Sequence, residues 1–275
     1  MTDWIERVER STNPAILNEH VLRYAFAMPV VRGSSAWADL GCGTGAAAAE
    51  AAQGSFEGRL ILVDNEARAL EAAQRELRGA EVVAMDADLT DPADLDRIED
   101  ALVNGDPDEQ RCITCFEVVE HLDDFAPLIG RLVRLAETEN CTVFLSVPND
   151  AFTGVGNPFH ETVWGEASVA ELRSLLPEAH LACAQYALTG SCIHLDEQPA
   201  QHPLAVDVAP ERVPSHYLLV FGPRAPEARP AARIAQIDLD QQRTWERQRE
   251  ADLDYYRQWA EEAAGRLPAD DALGN

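Results

Sequence analysis

Two carboxylates and an imidazole lie close together in the sequence, at Glu117, Glu120 and His121. Spacings of three and four residues put such side chains on one side of a helical turn, so the three groups can converge on one point. They could hold a divalent cation, with His160 as a candidate fourth ligand from a later loop. Carboxylate oxygens favour magnesium, whereas an imidazole shifts the preference towards manganese or iron. The alternative without an ion is that His121 or His160 acts as a general base.

A glycine-rich turn precedes this cluster, with Gly41, Gly43 and Gly45 at alternate positions after an apolar run. Glycine permits positive φ angles and close approach of a ligand, and a helix beginning at Ala46 would offer free N–H groups to a carboxylate or phosphate. Asp64 lies nineteen residues beyond Gly45, at the end of a predicted strand, where it can accept hydrogen bonds from a ribose diol. The pattern predicts a site for a cofactor that contains a nucleoside.

The glycine turn and Asp64 alone fit two cofactors. A dinucleotide such as NAD also requires such a turn and an acidic residue about twenty positions later. Two further carboxylates favour S-adenosylmethionine: Asp39 precedes the first glycine and could bind an ammonium group, and Asp86 ends the next predicted strand. The residues predicted to bind this cofactor are Asp39, Gly41, Cys42, Gly43, Gly45, Asp64, Asn65, Asp86, Ala87 and Phe116.

The carboxylates at successive strand ends resemble those of the class I S-adenosylmethionine-dependent methyltransferases, in which these positions touch the methionine end, the ribose and the adenine. Phe-Glu-Val-Val-Glu-His-Leu at 116–122 and Ser-Val-Pro-Asn at 146–149 are similar to one branch of that class. The branch contains the ubiquinone-pathway O-methyltransferases and the small-RNA 3′-terminal 2′-O-methyltransferases. The resemblance covers about residues 35–180.

The resemblance also bears on the metal. In the small-RNA enzymes a Glu-x-x-Glu-His set and a later histidine bind an ion, which implies that Glu117, Glu120, His121 and His160 do so here. The surroundings of His160 depart from that pattern, because the preceding residues are Asn157-Pro158-Phe159 rather than further histidines and basic residues. Many enzymes of the wider class carry a Glu-His pair at this place without a known metal.

The expected reaction is displacement at the sulfonium methyl group, in which the enzyme aligns donor and acceptor. A hydroxyl acceptor needs its pKa lowered, which a cation can do, whereas an amine needs only a neutral lone pair. The sequence therefore predicts an O-methyltransferase that acts on a small molecule or sugar. The alternatives are an RNA 3′-terminal 2′-O-methyltransferase, a small-molecule N-methyltransferase and a cofactor-binding partner protein without catalysis.

The elements that would position these residues alternate regularly. Strands are predicted at 36–40, 59–63, 81–85, 111–116 and 141–147, with helices at 44–53, 66–78, 92–103 and 122–136. This alternation requires a mostly parallel sheet with helices on both faces, an α/β architecture. A helix near 168–176 and strands near 180–188 and 215–221 follow. The resemblance implies a Rossmann-like sheet of seven strands with one antiparallel addition.

The predicted domain organisation has three parts. Residues 1–30 form an N-terminal helical cap, with Asn13 and Pro14 at the start of its helix, and 31–223 form the methyltransferase domain. Residues 224–275 form a linker and a charged C-terminal helix, the linker being predicted at 222–230 and the helix at 238–266. Aromatic residues of that helix are candidates for a homodimer contact. The long loop at 189–214 is a candidate for substrate-specific contacts.

Composition limits the partners and the location. The formal net charge is −26, so the field of the protein would repel a phosphate backbone and nucleic acid is a poor candidate partner. No apolar run is long enough for a membrane span and the N-terminus lacks an apolar signal core, which predicts a cytoplasmic protein. Cys112 and Cys115 form a CxxC, but in a strand they fall on opposite faces, which predicts buried thiols rather than a metal or redox pair.

Overall fold

A single sheet organises the computed structural model, which describes residues 8–9, 14–79, 81–153, 160–178, 180–187, 213–229, 231–233 and 247. Within these residues seven strands pair in the order β3-β2-β1-β4-β5-β7-β6. The strands are β1 Ala36–Leu40, β2 Arg59–Asp64, β3 Glu81–Asp86, β4 Arg111–Phe116, β5 Cys141–Pro148, β6 His180–Gln185 and β7 His216–Phe221. The first five are parallel, and β7 is antiparallel to β5 and β6. The predicted α/β sheet with one antiparallel hairpin is confirmed.

Helices cover both faces of the sheet. They are α1 Pro14–Val31, α2 Ala46–Ala52, α3 Ala67–Glu76, α4 Pro92–Val103, α5 Ala126–Thr138, α6 Asp150–Thr153 and α7 Glu166–Ser174. Apolar side chains of α4, α5 and α7 pack on one face, and those of α1, α2 and α3 pack on the other. Strands β1 and β4 are buried along their whole length, as expected for parallel strands that are covered on both sides.

The strand register brings the ends of the parallel strands to one edge. Asp64 pairs with Asp86, while Leu40 pairs with Val63 on one side and with Cys115 on the other. The turns that follow these strands therefore leave the sheet side by side. Ligands of open α/β sheets bind at this carboxyl edge, so the fold collects the predicted site residues in one region.

The helix predicted at 122–136 is wrong at its start. A 3₁₀ turn spans Val119–His121, and α5 begins only at Ala126, where the Asp124 carboxylate accepts a hydrogen bond from the Ala126 N–H at 3.0 Å. Pro127 lies in the first turn of α5, a position that suits a proline because no N–H is needed there. The polar stretch before α5 is therefore a loop rather than the first turn of a helix.

The predicted linker at 222–230 is packed against the domain. The Arg224 guanidinium donates to the Val30 carbonyl at 2.9 Å, and the Arg224 N–H donates to Thr142 Oγ1 at 3.0 Å. Ala225 and Ala228 are buried in the apolar layer that contains α1. These contacts make residues 224–228 part of the folded unit. Apart from Arg247, which is helical, the predicted C-terminal helix lies outside the described residues.

We expect two truncations to behave differently. Ending the chain after Arg233 should leave a folded domain that binds the cofactor, because Arg233 retains its bond to Asn18 at 2.5 Å. Ending it after Pro223 removes the bonds of Arg224 and should lower the stability by about 2–3 kcal/mol. Thermal melts of both forms beside the full chain test this, and equal melting temperatures would contradict it.

A buried arginine closes the opposite edge of the sheet. Arg111, at the start of β4, is 1% exposed. Its guanidinium donates to backbone carbonyls of Leu102, Asp106, Pro107, Glu109 and Glu139, at 2.8–3.4 Å. One side chain thus supports the ends of α4 and α5 and the loop before β4.

Replacing Arg111 by Met is expected to lower the free energy of unfolding by at least about 2 kcal/mol. Several backbone carbonyls lose a charged donor, and the buried carbonyls lose their hydrogen-bond partner. Urea denaturation measures the loss. The matched control is Arg97→Met on α4, where the exposed pair with Asp94 contributes little because solvent screens it. Similar midpoints for the two variants would show that water replaces the guanidinium at these carbonyls.

Candidate functional site

The glycine-rich turn has the predicted backbone. Gly41, Gly43 and Gly45 have φ angles of +68°, +53° and +72°. A Cβ at Gly41 would lie 2.4 Å from Val118 Cγ2, and one at Gly45 would lie 2.9 Å from Ala73 Cα, so both glycines are needed for packing. A Cβ at Gly43 would meet nothing within 4 Å. Gly43 therefore presents open backbone, as a cofactor that lies against the turn requires.

Asp64 links β2 to this turn. One carboxylate oxygen accepts from the Gly43 N–H at 2.8 Å, and the other accepts from the Glu66 N–H at 3.0 Å. These bonds fix the carboxylate beside the open backbone of Gly43, where it is predicted to accept from a ribose hydroxyl. Asp86, at the end of β3, is exposed at the same edge, beside buried Ala87.

Asp39 is held by hydrogen bonds from two hydroxyl groups. It is fully buried, and its carboxylate accepts hydrogen bonds from the Tyr24 hydroxyl at 3.0 Å and the Thr114 hydroxyl at 2.6 Å. Burial raises the pKa of Asp39 to about 7, and the two hydroxyls oppose that shift. These bonds tie α1 to the sheet through the carboxylate, and its contact with an ammonium group stays a prediction. Phe116 packs edge-on against Tyr24, with ring centroids 5.1 Å apart.

The cysteines of the CxxC lie on opposite faces, as predicted. Cys112 belongs to the apolar layer that contains α1, and Cys115 to the layer that contains α5. Burial raises the pKa of both thiols, so neither is a reactive thiolate. Cys42, within the glycine turn, is buried too, and burial also raises the pKa of its thiol.

Three of the four predicted metal ligands come together. Ligand atoms of Glu120, His121 and His160 lie within 4.8 Å of one another, and the two imidazole rings meet edge-on with centroids 5.3 Å apart. Glu120 is 1% exposed, and its Oε2 makes no hydrogen bond to any residue that the structure describes. Burial, and next the nearby Glu117 carboxylate, raise the pKa of Glu120. A buried carboxylate oxygen beside two imidazoles is a donor set that a cation would complete.

The loop after β5 is fastened to this cluster. His160 Nδ1 lies 2.8 Å from Asp150 Oδ1, and the other oxygen of Asp150 accepts from the Trp164 N–H at 2.6 Å. The Glu161 N–H donates to the Glu120 carbonyl at 2.8 Å. A carboxylate on Nδ1 fixes the orientation of the ring and directs Nε2 away from Asp150, the arrangement of many metal-binding histidines.

The structure separates Glu117 from the other three residues. Its Oε1 accepts from the Ser146 hydroxyl at 2.6 Å, and its Oε2 lies 3.0 Å from His216 Nε2. The cause is local, because Glu117 has a φ of +56° and a 3₁₀ turn follows it, so the predicted spacing along one helical turn does not apply. Burial opposes its ionisation, but Arg23 and His216 hold the pKa of Glu117 well below its usual value. Glu117 therefore does not belong to the group that Glu120, His121 and His160 form, and its role as a ligand stays a prediction.

The fold and the glycine-rich turn define a class I S-adenosylmethionine-dependent methyltransferase. Residues 16–188 match the family model described as "Methyltransferase domain", which is more than half of the chain. The protein belongs to this family and is a methyltransferase that uses S-adenosylmethionine. No curated protein sequence gives a significant match.

Solved structures show distant likeness in overall fold. The N-methyltransferase NodS from Bradyrhizobium japonicum is 17% identical, with a TM-score of 0.42, 76% of this chain and 97% of that chain being covered. A methyltransferase from Archaeoglobus fulgidus is 15% identical, with a TM-score of 0.46 and coverage of 75% and 93%. The methyltransferase domain of bacterial CtHen1-C is 18% identical, with a TM-score of 0.45 and coverage of 75% and 98%.

Sequence reasoning missed the partners of the predicted residues. Asp150 orients His160, and His216 pairs with Glu117 across a long separation in sequence. Arg23 on α1 lies close to the same glutamate. No local sequence pattern could link Arg23 or His216 to Glu117. Among the described residues no helix is long and apolar enough to cross a membrane.

Proposed function

We propose that the protein transfers the methyl group of S-adenosylmethionine to a hydroxyl of a small molecule or sugar, assisted by a divalent cation at Glu120, His121 and His160. The observation that carries the proposal is the convergence of these three side chains within 4.8 Å around a buried carboxylate oxygen that lacks a hydrogen bond to the described residues. An amine acceptor would not need such a cluster, because a neutral amine already carries the lone pair that attacks the methyl group.

The residues fit this role individually. Asp150 holds the ring of His160, the Glu120 carbonyl fastens the loop that carries it, and Glu120 supplies the carboxylate. Two imidazoles and one carboxylate favour manganese or iron over magnesium, which prefers a full set of oxygen ligands. A bound cation would lower the pKa of the acceptor hydroxyl by coordinating its oxygen.

The rest of the site aligns the reactants. Gly43 and Asp64 hold the nucleoside end of the cofactor at the ends of β1 and β2, and the acceptor approaches over the ends of β4 and β5. The acceptor oxygen then bonds to the methyl carbon, the carbon–sulfur bond breaks and S-adenosylhomocysteine leaves. The acceptor loses its proton to a base, and His121, which is exposed at this edge, is the candidate if no ion binds.

The net charge of −26 supports a small acceptor over the 3′ end of an RNA. We propose no membrane partner and a cytoplasmic location, and we retain a homodimer through the C-terminal helix as a proposal. The first two proposals follow from composition and hydropathy, and the homodimer follows from the aromatic residues of the predicted C-terminal helix.

Paired acceptors test the hydroxyl assignment. We expect methyl ethers to form from members of a panel of phenols and sugars, with added manganese, and the matched amines to react at least about tenfold more slowly. Mass spectrometry of the products distinguishes the two. Methylation of the amines alone, at the same rate with and without manganese, would overturn the proposal.

A further inference from the structure

A second polar cluster lies at the same edge of the sheet, on the face that α1 covers. Arg23 of α1, Glu117 after β4, Gln185 at the end of β6 and His216 at the start of β7 come together there. His20 of α1 and the Ser146 hydroxyl lie close to the same groups, and the buried side chains of Tyr24, Phe116 and Leu218 belong to the apolar layer on this face. The cluster adjoins the candidate metal site, since its Glu117 carboxylate raises the pKa of the nearby Glu120, but it shares no residue with the set Glu120, His121 and His160.

The guanidinium of Arg23 is only partly satisfied. Arg23 is 1% exposed, and Nη1 donates to Gln185 Oε1 at 3.2 Å. Neither Nε nor Nη2 makes a hydrogen bond to a residue in the described part of the chain. The nearest carboxylate oxygen, Glu117 Oε2, lies 4.0 Å from Nη2, too far for a hydrogen bond, and it is already paired with His216.

Two unpaired donors on one edge of a buried guanidinium destabilise the folded state, because both lose their hydration without gaining a hydrogen bond. That edge has the geometry that binds a carboxylate through two parallel N–H···O bonds. A residue needed only for packing could be apolar. The unpaired edge therefore points to an oxyanion that the site takes up.

The position of the cluster indicates which molecule carries the anion. Apart from Phe116 at the end of β4, the residues predicted for the cofactor lie at or just after the ends of β1, β2 and β3. The polar neighbours of Arg23 lie after β4, at the end of β6 and at the start of β7. We propose that the methyl acceptor is a hydroxy acid, whose carboxylate binds Nε and Nη2 of Arg23. This rests on the proposed function, and it narrows the acceptor to an anionic small molecule. The methionine carboxylate of the cofactor has the same chemistry, so the test must separate the two sources.

Formate serves as the probe, since it is a carboxylate with nothing else attached. The protein is saturated with S-adenosylhomocysteine or with 5′-methylthioadenosine, which lacks the methionine carboxylate, and the arginine Nε–H signals are followed by NMR. Formate is titrated against chloride at constant ionic strength, in excess chelator. Neither turnover nor a metal is required, so a failed metal proposal leaves this result intact.

We expect one arginine signal to shift saturably with formate, and not with chloride, in both complexes. Saturation only in the 5′-methylthioadenosine complex would assign Arg23 to the cofactor and overturn the proposal, and no saturation in either complex would overturn it too. Arg23→Lys keeps the charge but loses the paired donors. It should weaken the binding of formate by about tenfold or more without changing the affinity for S-adenosylhomocysteine. Arg97→Lys, an exposed arginine on α4, is the matched control and should change neither.

Discussion

Removal of divalent ions by a chelator is expected to lower the rate of methyl transfer by about a hundredfold to a thousandfold, because several kcal/mol of charge stabilisation at the acceptor oxygen are lost. The affinity for S-adenosylmethionine should change little, since Gly43 and Asp64 lie at other strand ends than the ion's ligands. Turnover is measured by the release of S-adenosylhomocysteine with and without manganese, and cofactor affinity is measured by calorimetry in the same buffers.

Substitutions locate the ion. Glu120→Gln keeps the shape of the side chain and removes its charge, so it should raise the metal concentration needed and lower the rate together. His160→Ala should give a metal-dependent defect if the ring is a ligand, and a metal-independent one if it is a substrate contact or a base. Glu117→Gln is the matched comparison, with a smaller effect on metal affinity, because its carboxylate pairs with Ser146 and His216. Full activity in excess chelator, with no ion in the purified protein, would contradict the proposal.

Much of the fold could be predicted because local signals agree with the tertiary structure. The bounds of α4 match the prediction, since Asp91 caps the helix by accepting from the Ala93 N–H and Pro92 suits its first turn. The buried strands β1 and β4 also match, because parallel strands that are covered on both faces are nearly continuous apolar runs. The sequence is less informative where one unusual backbone angle sets the direction of a side chain, as the positive φ of Glu117 does.

The site was predictable only as far as residues close in sequence determine it. The glycine turn and Asp64 lie within one βαβ unit, so their spacing fixes their geometry. The partners of Glu117 could not be predicted, because Ser146 and His216 come from strands that sequence spacing does not bring together. The hydrogen bond from Tyr24 to the Asp39 carboxylate could not be predicted either, because Tyr24 comes from a helix that precedes the sheet.

Replacing Asp64 by Ala is expected to weaken the binding of S-adenosylmethionine by about 1.5–3 kcal/mol, or roughly one to two decades in dissociation constant. We assign the carboxylate two tasks, because it is predicted to accept from the ribose and it also accepts from the N–H groups of Gly43 and Glu66. Loss of the side chain removes a charged partner of the ribose and one support of the turn. Calorimetry with S-adenosylhomocysteine measures the effect, and NAD should not bind to either form.

Two further variants separate the tasks of Asp64. Asp64→Asn keeps one oxygen that can accept from the turn but loses the charge, so it should bind more tightly than Asp64→Ala and less tightly than the natural chain. Asp86→Ala should have a smaller effect than Asp64→Ala, because Asp86 is exposed and is predicted to meet only the adenine end. An unchanged affinity in Asp64→Ala would mean that the nucleoside does not lie at the end of β2, because no other carboxylate in the described part of the chain bonds to the open backbone of Gly43.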